Sequence, residues 1–293
     1  MYVKTGRGII KSWGLQNKKE RMSEMLYQEI KIIADGQEAT LTTYLLSNTS
    51  EIDENRTRPL VILCPGGGYR FVSEREAEPV AIQLNSFGIH VAILRYSIYP
   101  AKFPTALTQL AKAVAYAREH AGEWNVNTDR IIVMGFSAGG HLAASIGTLW
   151  HEPFLEEIMQ QSKENYKPNG LLLCYPVITS GEYAHRDSFV ALLQDRYDEL
   201  VESMSLEKRV TEFTPPTFLW HTFEDSLVPI ENALLFTQAL NEKKIPFELH
   251  VYPKGWHGLS LANEETRSIY DKGPLPTQCQ SWISLAGAWI SNL

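Results

Sequence analysis

The stretch MGFSAGGH, residues 134–141, decides the fold of this chain. It follows three β-branched residues at 131–133 and precedes a run with the character of a helix, so a strand gives way to a helix here. Residues 135–139 match the pattern G-x-S-x-G, whose small residues permit a sharp turn that exposes a serine hydroxyl. This context predicts that Ser137 is a nucleophile, and the alternative is a tight turn that merely uses small residues.

Two later strand ends supply partners for this serine. Asp225 comes directly after the predicted strand 217–222, and His257 comes just after the predicted strand 248–252. Ligand-binding and catalytic groups collect at the carboxyl ends of strands in open α/β sheets. The chain order serine, acid, histidine is also the order that accompanies this turn motif. We therefore expect Ser137, Asp225 and His257 to form a catalytic triad.

Other acidic and histidine side chains compete for these roles. Glu224 is the rival acid, but Val228 and the proline after it begin the next helix at the offset expected for Asp225. The rival bases are His141, His221 and His250. His250 falls within a predicted strand and His141 lies one turn along the helix after the serine, so we expect both to be structural.

A glycine-rich loop, CPGGGY at 64–69, follows the predicted strand 60–64. Consecutive glycines expose backbone N–H groups and permit unusual backbone angles, as an oxyanion hole requires. We expect Gly67, Gly68 and the N–H of Ala138 to be its donors. A phosphate-binding loop is the competing interpretation, but the spacing and the lysine of a P-loop are missing. A flexible loop without a function is the third.

Short β-rich runs alternate with helical patterns along the chain. The predicted strands are 28–33, 40–46, 60–64, 90–96, 131–135, 171–175, 217–222 and 248–252, and the predicted helices are 75–87, 105–122, 138–150, 230–243 and 277–292. Three of the strand runs are apolar throughout, which is typical of parallel strands covered on both faces. The first two strands alternate more and are expected to be antiparallel. The fold class predicted is α/β, with a mostly parallel eight-stranded sheet and helices on both faces.

We interpret residues 1–24 as an N-terminal extension and 25–293 as a single domain. Two polar segments, 151–169 and 180–214, interrupt the alternation and are predicted insertions. Both are expected over one edge of the sheet. The second contains an amphipathic pattern at 187–203, which predicts a helix, and we interpret this insertion as a small, partial lid.

The composition limits the classes of partner that the protein is expected to bind and the cellular compartment expected for it. The net charge of −7 argues against nucleic acid or an anionic membrane as a partner. Three widely spaced cysteines form neither a disulfide framework nor a metal-ligand pattern. The N-terminal stretch lacks the apolar run of a signal peptide, and no stretch is apolar for the length of a membrane span. We therefore expect a cytoplasmic protein, and the sequence leaves a homo-oligomer open.

These motifs resemble the α/β-hydrolase fold over about residues 28–293. Within it, the chain resembles bacterial carbohydrate esterases of the acetyl xylan esterase group, which are related to hormone-sensitive-lipase-like esterases. The stretches that carry the resemblance are CPGGGY (64–69), LRYSIYPAKFPTAL (94–107), GFSAGGHLAAS (135–145), TPPTFLWHTFEDSLVP (214–229) and YPKGWHGLS (252–260). Lipase relatives usually have histidine where Pro65 stands, and often Asp and Asn at Phe136 and His141. Those departures fit the carbohydrate-esterase group better.

The resemblance implies a serine esterase that needs no metal or organic cofactor. Ser137 would be the nucleophile, Asp225 the acid and His257 the base, and the expected substrate is a short acyl ester, most simply an acetylated sugar. Tyr69, Tyr96 and Trp256, together with Tyr99, lie on loops expected to border the site, where aromatic rings could stack on a sugar or simply pack. The alternatives are a general carboxylesterase, a prolyl-oligopeptidase-like peptidase and a ligand-binding module without catalysis.

Overall fold

The computed structural model describes residues 25–293, so the predicted extension at 1–24 lies outside the described residues. Eight strands form one sheet within this part of the chain. They are β1 (Glu29–Ala34), β2 (Gln37–Tyr44), β3 (Arg58–Cys64), β4 (His90–Arg95), β5 (Val126–Phe136), β6 (Gly170–Cys174), β7 (Thr217–Thr222) and β8 (Phe247–Tyr252). Each predicted strand corresponds to one of them.

The strand order is β1-β2-β4-β3-β5-β6-β7-β8. β1 pairs antiparallel with β2 and β2 with β4, and all other neighbours are parallel. From β3 the chain proceeds first to β4 on one side and then to β5 on the other. The carboxyl ends of β3 and β5 therefore meet where the direction of winding reverses, which is the usual place for a ligand site in open α/β sheets.

Helices cover both faces of the sheet. They are α1 (Glu78–Asn85), α2 (Thr105–Glu119), α3 (Ala121–Trp124), α4 (Ser137–Leu149), α5 (Pro153–Met159), α6 (Arg186–Leu193), α7 (Tyr197–Leu200), α8 (Glu231–Glu242) and α9 (Ser281–Asn292). Apolar residues of α2, α4 and α8 belong to the core on one face, and those of α1 and α9 belong to the core on the other. The prediction of a mostly parallel eight-stranded α/β sheet with helices on both faces is confirmed.

Strand β3 shows why its sequence is apolar at every position. Leu60 and Ile62 pack in the core under α2, α4 and α8, whereas Val61 and Leu63 pack in the core under α1 and α9. Side chains alternate between the two faces of a strand, so a strand covered on both faces needs apolar residues throughout.

The segment 180–214 differs from its prediction. Instead of one helix over 187–203, the structure has α6, a 3-10 turn, the single turn α7 and a second 3-10 turn. Phe189, Leu192 and Leu193 are buried as the amphipathic pattern indicated. The α6 helix ends where Gln194 adopts a positive φ of 53°, a conformation that a helix cannot continue through.

Cys64, Cys174 and Cys279 are free thiols, and all three are buried. Within residues 25–293, the helices are too short or too polar to cross a bilayer.

Candidate active site

The nucleophile turn joins β5 to α4. Ser137 has a positive φ of 52°, which is strained for a residue with a side chain and aims its hydroxyl away from the sheet. A Cβ atom at Gly135 would overlap the backbone of Gly139, and one at Gly139 would overlap the carbonyl groups of Cys64 and Pro65. The glycines of the motif are therefore required because the turn, its helix and the end of β3 approach one another too closely for side chains.

The structure brings Ser137, His257 and Asp225 into one hydrogen-bonded chain. His257 Nε2 lies 2.7 Å from Ser137 Oγ, and His257 Nδ1 lies 2.6 Å from Asp225 Oδ2. The serine and the aspartate are 8% and 4% exposed, respectively. These three residues follow β5, β7 and β8, whose carboxyl ends are at one edge of the sheet. The contacts have the geometry that a serine, its base and an orienting acid need.

Asp225 is held as a carboxylate by its own loop. Its Oδ1 atom accepts hydrogen bonds from the amides of Leu227 (3.0 Å) and Val228 (2.9 Å). Burial by itself would raise the pKa of Asp225, but the adjoining His221 imidazole and the hydrogen bonds from His257 and the Val228 amide outweigh it and place the pKa below its usual value. The group therefore carries a negative charge at neutral pH.

The rival residues have other partners. Glu224 is exposed and pairs with Lys254. His250 on β8 lies 2.6 Å from Glu248. His141 is buried on α4, with Nδ1 2.9 Å from the Tyr69 hydroxyl and Nε2 3.2 Å from the Met204 carbonyl oxygen. These placements agree with the expectation that His141 and His250 are structural.

His221 is the exception among the rivals, because it adjoins the site. It is fully buried on β7, and its Nε2 lies 2.9 Å from the carbonyl oxygen of Val228 and 3.4 Å from Asp225 Oδ2. It does not contact the serine; it contacts the loop that carries the aspartate.

The glycine loop, residues 65–71, follows β3 and lies beside the serine because β3 pairs with β5. Gly67 and Gly68 have positive φ values of 131° and 62°. Within residues 25–293 their amides have no protein acceptor, and the Ala138 amide is in the first turn of α4, where N–H groups lack helical partners. The three amides predicted as oxyanion donors are thus free to bind an anion, next to the positive end of the helix dipole.

A cleft of about 380 Å³ opens over Ser137 and His257. Its lining includes Gly67, Gly68, Arg70, Phe71, Ser73, Arg75, Glu76, Ser137, His185, Asp187, Leu227, His257 and Gly258. His185 and Asp187 come from the segment 180–214, at the start of α6. The volume is in the range of small-molecule sites.

The aromatic residues expected to border the site are placed differently. Tyr69 and Tyr96 are only 3% and 2% exposed, and neither lines the cleft. The Tyr69 hydroxyl bonds to His141 and the Tyr96 hydroxyl donates to the carbonyl oxygen of Pro65 at 2.8 Å. Of the two possibilities left open for these rings, contact with substrate and packing, the structure shows packing for both. The Tyr69 hydroxyl ties the glycine loop to α4, and the Tyr96 hydroxyl binds the start of that loop.

Trp256 lines a separate groove with residues 274–276 instead of the cleft over the serine. Tyr99 is 52% exposed, and the guanidinium of Arg70 lies 5.9 Å from its ring centroid. Of these four aromatic residues, Tyr99 therefore has a solvent-exposed ring next to a residue that lines the cleft.

Several residues that line the cleft were not predicted from the sequence. Phe71 and Leu227 are exposed apolar side chains at the cleft, and each follows a predicted site residue by only a few positions. That proximity was a usable signal. Glu76 and His185 had none, because one falls in a predicted helix and the other in a polar segment. Among the described residues there is no cluster of histidine, cysteine and carboxylate side chains that could hold a metal ion.

The BD-FAE family profile matches residues 49–240, which include the glycine loop, Ser137 and Asp225. The chain belongs to the BD-FAE family. A solved structure of an acetyl ester-xyloside bifunctional hydrolase from Caldicellulosiruptor lactoaceticus is similar over 90% of this chain and 96% of its own, with 35% identity and a TM-score of 0.75. The fold of this family member is that of the α/β hydrolases.

Curated relatives are longer proteins. An endo-1,4-beta-xylanase B of Butyrivibrio fibrisolvens is 38% identical over 227 residues, which cover 74% of this chain and 35% of the relative. An acetylxylan esterase of Xylanibacter ruminicola is 28% identical over 217 residues, which cover 72% of this chain and 43% of the relative. The chain thus spans less than half the length of either relative.

Proposed function

We propose that this protein is a serine esterase that removes short acyl groups, in particular acetyl groups, from sugars or xylo-oligosaccharides. The observation that carries the proposal is the chain of hydrogen bonds from Ser137 through His257 to Asp225, with distances of 2.7 and 2.6 Å. This arrangement permits the serine to lose its proton as it attacks a carbonyl group.

In the proposed mechanism, His257 takes the proton of Ser137 while the serine oxygen attacks the ester carbonyl carbon. The amides of Gly67, Gly68 and Ala138 bind the oxyanion of the tetrahedral intermediate. His257 then donates the proton to the departing alcohol, which leaves an acyl-enzyme. His257 then takes a proton from water, which attacks the acyl carbon. The bond from that carbon to Ser137 Oγ breaks, His257 returns the proton to the serine oxygen, and the acid is released. Asp225 keeps the imidazole in the required tautomer and balances its charge.

Two observations support a small acyl group on a polar alcohol. The cleft is small, and polar side chains such as Arg70, His185 and Asp187 line it beside the serine. A relative that is named an acetylxylan esterase is similar in sequence, and a solved structure that is named an acetyl ester-xyloside hydrolase is similar in fold.

A general carboxylesterase without sugar preference is the second candidate. Phe71 and Leu227, which are 60% and 53% exposed at the cleft, favour it because apolar side chains there could receive the alcohol part of a hydrophobic ester. The two candidates share the chemistry and differ in the leaving group.

The test compares 4-nitrophenyl acetate, butyrate and octanoate with an acetylated xylo-oligosaccharide, using wild-type protein and Ser137→Ala. We expect fast hydrolysis of acetate esters, acetate release from the oligosaccharide, and a loss of activity in Ser137→Ala of at least about 10³-fold. Full activity in Ser137→Ala would overturn the mechanism. A preference for octanoate without acetate release from the sugar would favour the general carboxylesterase.

A further inference from the structure

Glu76 is a carboxylate buried beside the nucleophile. It ends a 3-10 turn, Glu74–Glu76, and is 3% exposed. Its Oε2 atom accepts a hydrogen bond of 2.8 Å from the amide of Gly66, and its Oε1 atom accepts one of 2.6 Å from the hydroxyl of Tyr175. Both oxygens of the carboxylate are thus occupied within the protein.

Tyr175 extends this connection to the loop that carries His257, residues 253–260, which we call the histidine loop. The Tyr175 hydroxyl donates to Glu76 and accepts a hydrogen bond of 2.9 Å from the amide of Ser260. Burial and the nearby carboxylate raise the pKa of Tyr175 well above its usual value, so the phenol keeps the proton that it donates. Its ring meets the His257 ring edge-on, with centroids 5.1 Å apart.

The neighbouring residue, Arg75, binds the same loop. Its guanidinium donates to the Gly258 carbonyl oxygen at 2.8 Å, and its own carbonyl oxygen accepts a hydrogen bond of 2.6 Å from the Ser260 hydroxyl. The turn that carries Glu76 is therefore fastened to the histidine loop at several points, and to the glycine loop through Gly66.

We propose that Glu76 and Tyr175 are positioning residues that hold the glycine loop and the histidine loop in one arrangement around Ser137. The inference rests on the proposed function, because it assigns a role within the same site. Gly66 is the point of contact: a Cβ atom there would lie 2.7 Å from Glu76 Oε2 and 3.1 Å from Ser137 Cβ. Fixing the Gly66 amide fixes the start of the peptide segment that presents the two oxyanion donors.

Stability alone does not account for this connection. The cost of removing a carboxylate from water can equal or exceed what its hydrogen bonds return, so apolar side chains of similar volume would pack at least as well. Holding catalytic groups within about 0.5 Å of their productive positions is the advantage that such a network offers.

The test uses Glu76→Gln, Tyr175→Phe and the double variant. Glutamine keeps the volume of Glu76 but cannot accept from both donors, and phenylalanine keeps the ring against His257 while removing the hydroxyl. The matched controls are Glu74→Gln, which alters an exposed carboxylate on the same turn that pairs with Arg95, and Tyr166→Phe, which removes a buried hydroxyl that has no partner within residues 25–293. The first readout is the rate constant for phosphorylation of Ser137 by paraoxon, followed by mass spectrometry; the second is kcat and KM for 4-nitrophenyl acetate per titrated site.

We expect each single variant to lower the phosphorylation rate and kcat about 10- to 100-fold with KM changed less than about threefold, as a small displacement of catalytic groups does. The double variant should be no slower than the slower single variant, because both substitutions break the same chain of hydrogen bonds between Gly66 and Ser260. The controls should match wild type. A merely structural role would reduce the fraction of sites that titrate but leave the rate per site unchanged.

Rates per site within twofold of wild type in both single variants would overturn the proposal, and so would fully additive effects. If paraoxon phosphorylates Ser137 of the wild-type protein but the protein hydrolyses no ester, only the proposed function is wrong. The comparison of phosphorylation rates among the variants then still tests this inference. If Ser137 of wild type does not react with paraoxon, both are wrong.

Discussion

The Nε2 atom of His221 lies 3.4 Å from Oδ2 of Asp225, so a second imidazole adjoins the carboxylate to which His257 is hydrogen-bonded. The same Nε2 donates to the Val228 carbonyl oxygen, and the Val228 amide in turn donates to Asp225. His221 thus holds the loop that orients Asp225. Replacing His221 should lower the rate of catalysis even though His221 does not contact Ser137.

We expect His221→Leu to lower kcat about 10-fold and to destabilise the fold by about 1–3 kcal/mol, because the buried Val228 carbonyl loses its donor. His221→Gln should retain much of the wild-type kcat and stability, since the glutamine amide can donate to the Val228 carbonyl oxygen. Steady-state kinetics and urea denaturation of the two variants provide the check. Equal activity in His221→Leu and wild type would show that the Asp225 loop keeps its geometry unaided.

Asp225→Asn should lower kcat by roughly 10³- to 10⁴-fold with little change in KM, because an amide favours the wrong tautomer of His257. Glu224→Gln is the matched control, as Glu224 is exposed and pairs with Lys254. The measurement is kcat on 4-nitrophenyl acetate at saturating substrate. A larger loss in Glu224→Gln than in Asp225→Asn would reverse the assignment of the acid.

His141 should make the protein sensitive to mild acid. Burial lowers its pKa from 6.5 to about 4, so the folded protein holds it neutral while the unfolded chain can protonate it. The free energy of unfolding should therefore be highest above about pH 6.5 and fall toward pH 4, by at most about 1.4 kcal/mol per pH unit for this one proton.

The comparison is His141→Asn, which lacks the titrating group, with denaturation followed at several pH values. Its stability curve should be flatter than that of wild type over this range. His90 also has its pKa lowered to about 4 by burial, but it is present in both proteins and cancels in the difference. Parallel curves for the two proteins would contradict the prediction.

Gly139→Ala should destabilise the protein by about 1–3 kcal/mol, because the new methyl group meets the carbonyl oxygens of Cys64 and Pro65 and the core must shift. Gly122→Ala is the control: it lies in α3, where a Cβ atom meets nothing within 4 Å. The control should be neutral or stabilising by up to about 1 kcal/mol. Thermal and urea unfolding of both variants measure the difference, and equal stability would show that the turn can widen.

The strands were predictable because burial on both faces leaves a local signature. A run such as 60–64 has no polar position, and its boundaries differ from β3 by no more than two residues. The helix predicted over 187–203 was wrong in its continuity, because the break at Gln194 depends on contacts rather than on composition. Its side chain donates to the carbonyl oxygens of Pro100 and Ala101, far away in the chain.

The burial of Glu76 could not be predicted from the sequence. In the sequence it is one of three glutamates within five residues, and Glu74 and Glu78 are exposed. Nothing local distinguishes the buried one, because its partners Gly66 and Tyr175 are 10 and 99 residues away.

The sequence by itself determined the turn around Ser137, the glycine loop and the order of acid and histidine, since each depends on residue types at fixed spacing beside a strand. Only the tertiary structure decided which side chains face the cleft. Tyr69 and Tyr96 lie on the expected loops, yet their hydroxyls bond to His141 and to the Pro65 carbonyl. The direction of a side chain on a loop is set by the partner that satisfies its polar atom, and those partners come from elsewhere in the chain.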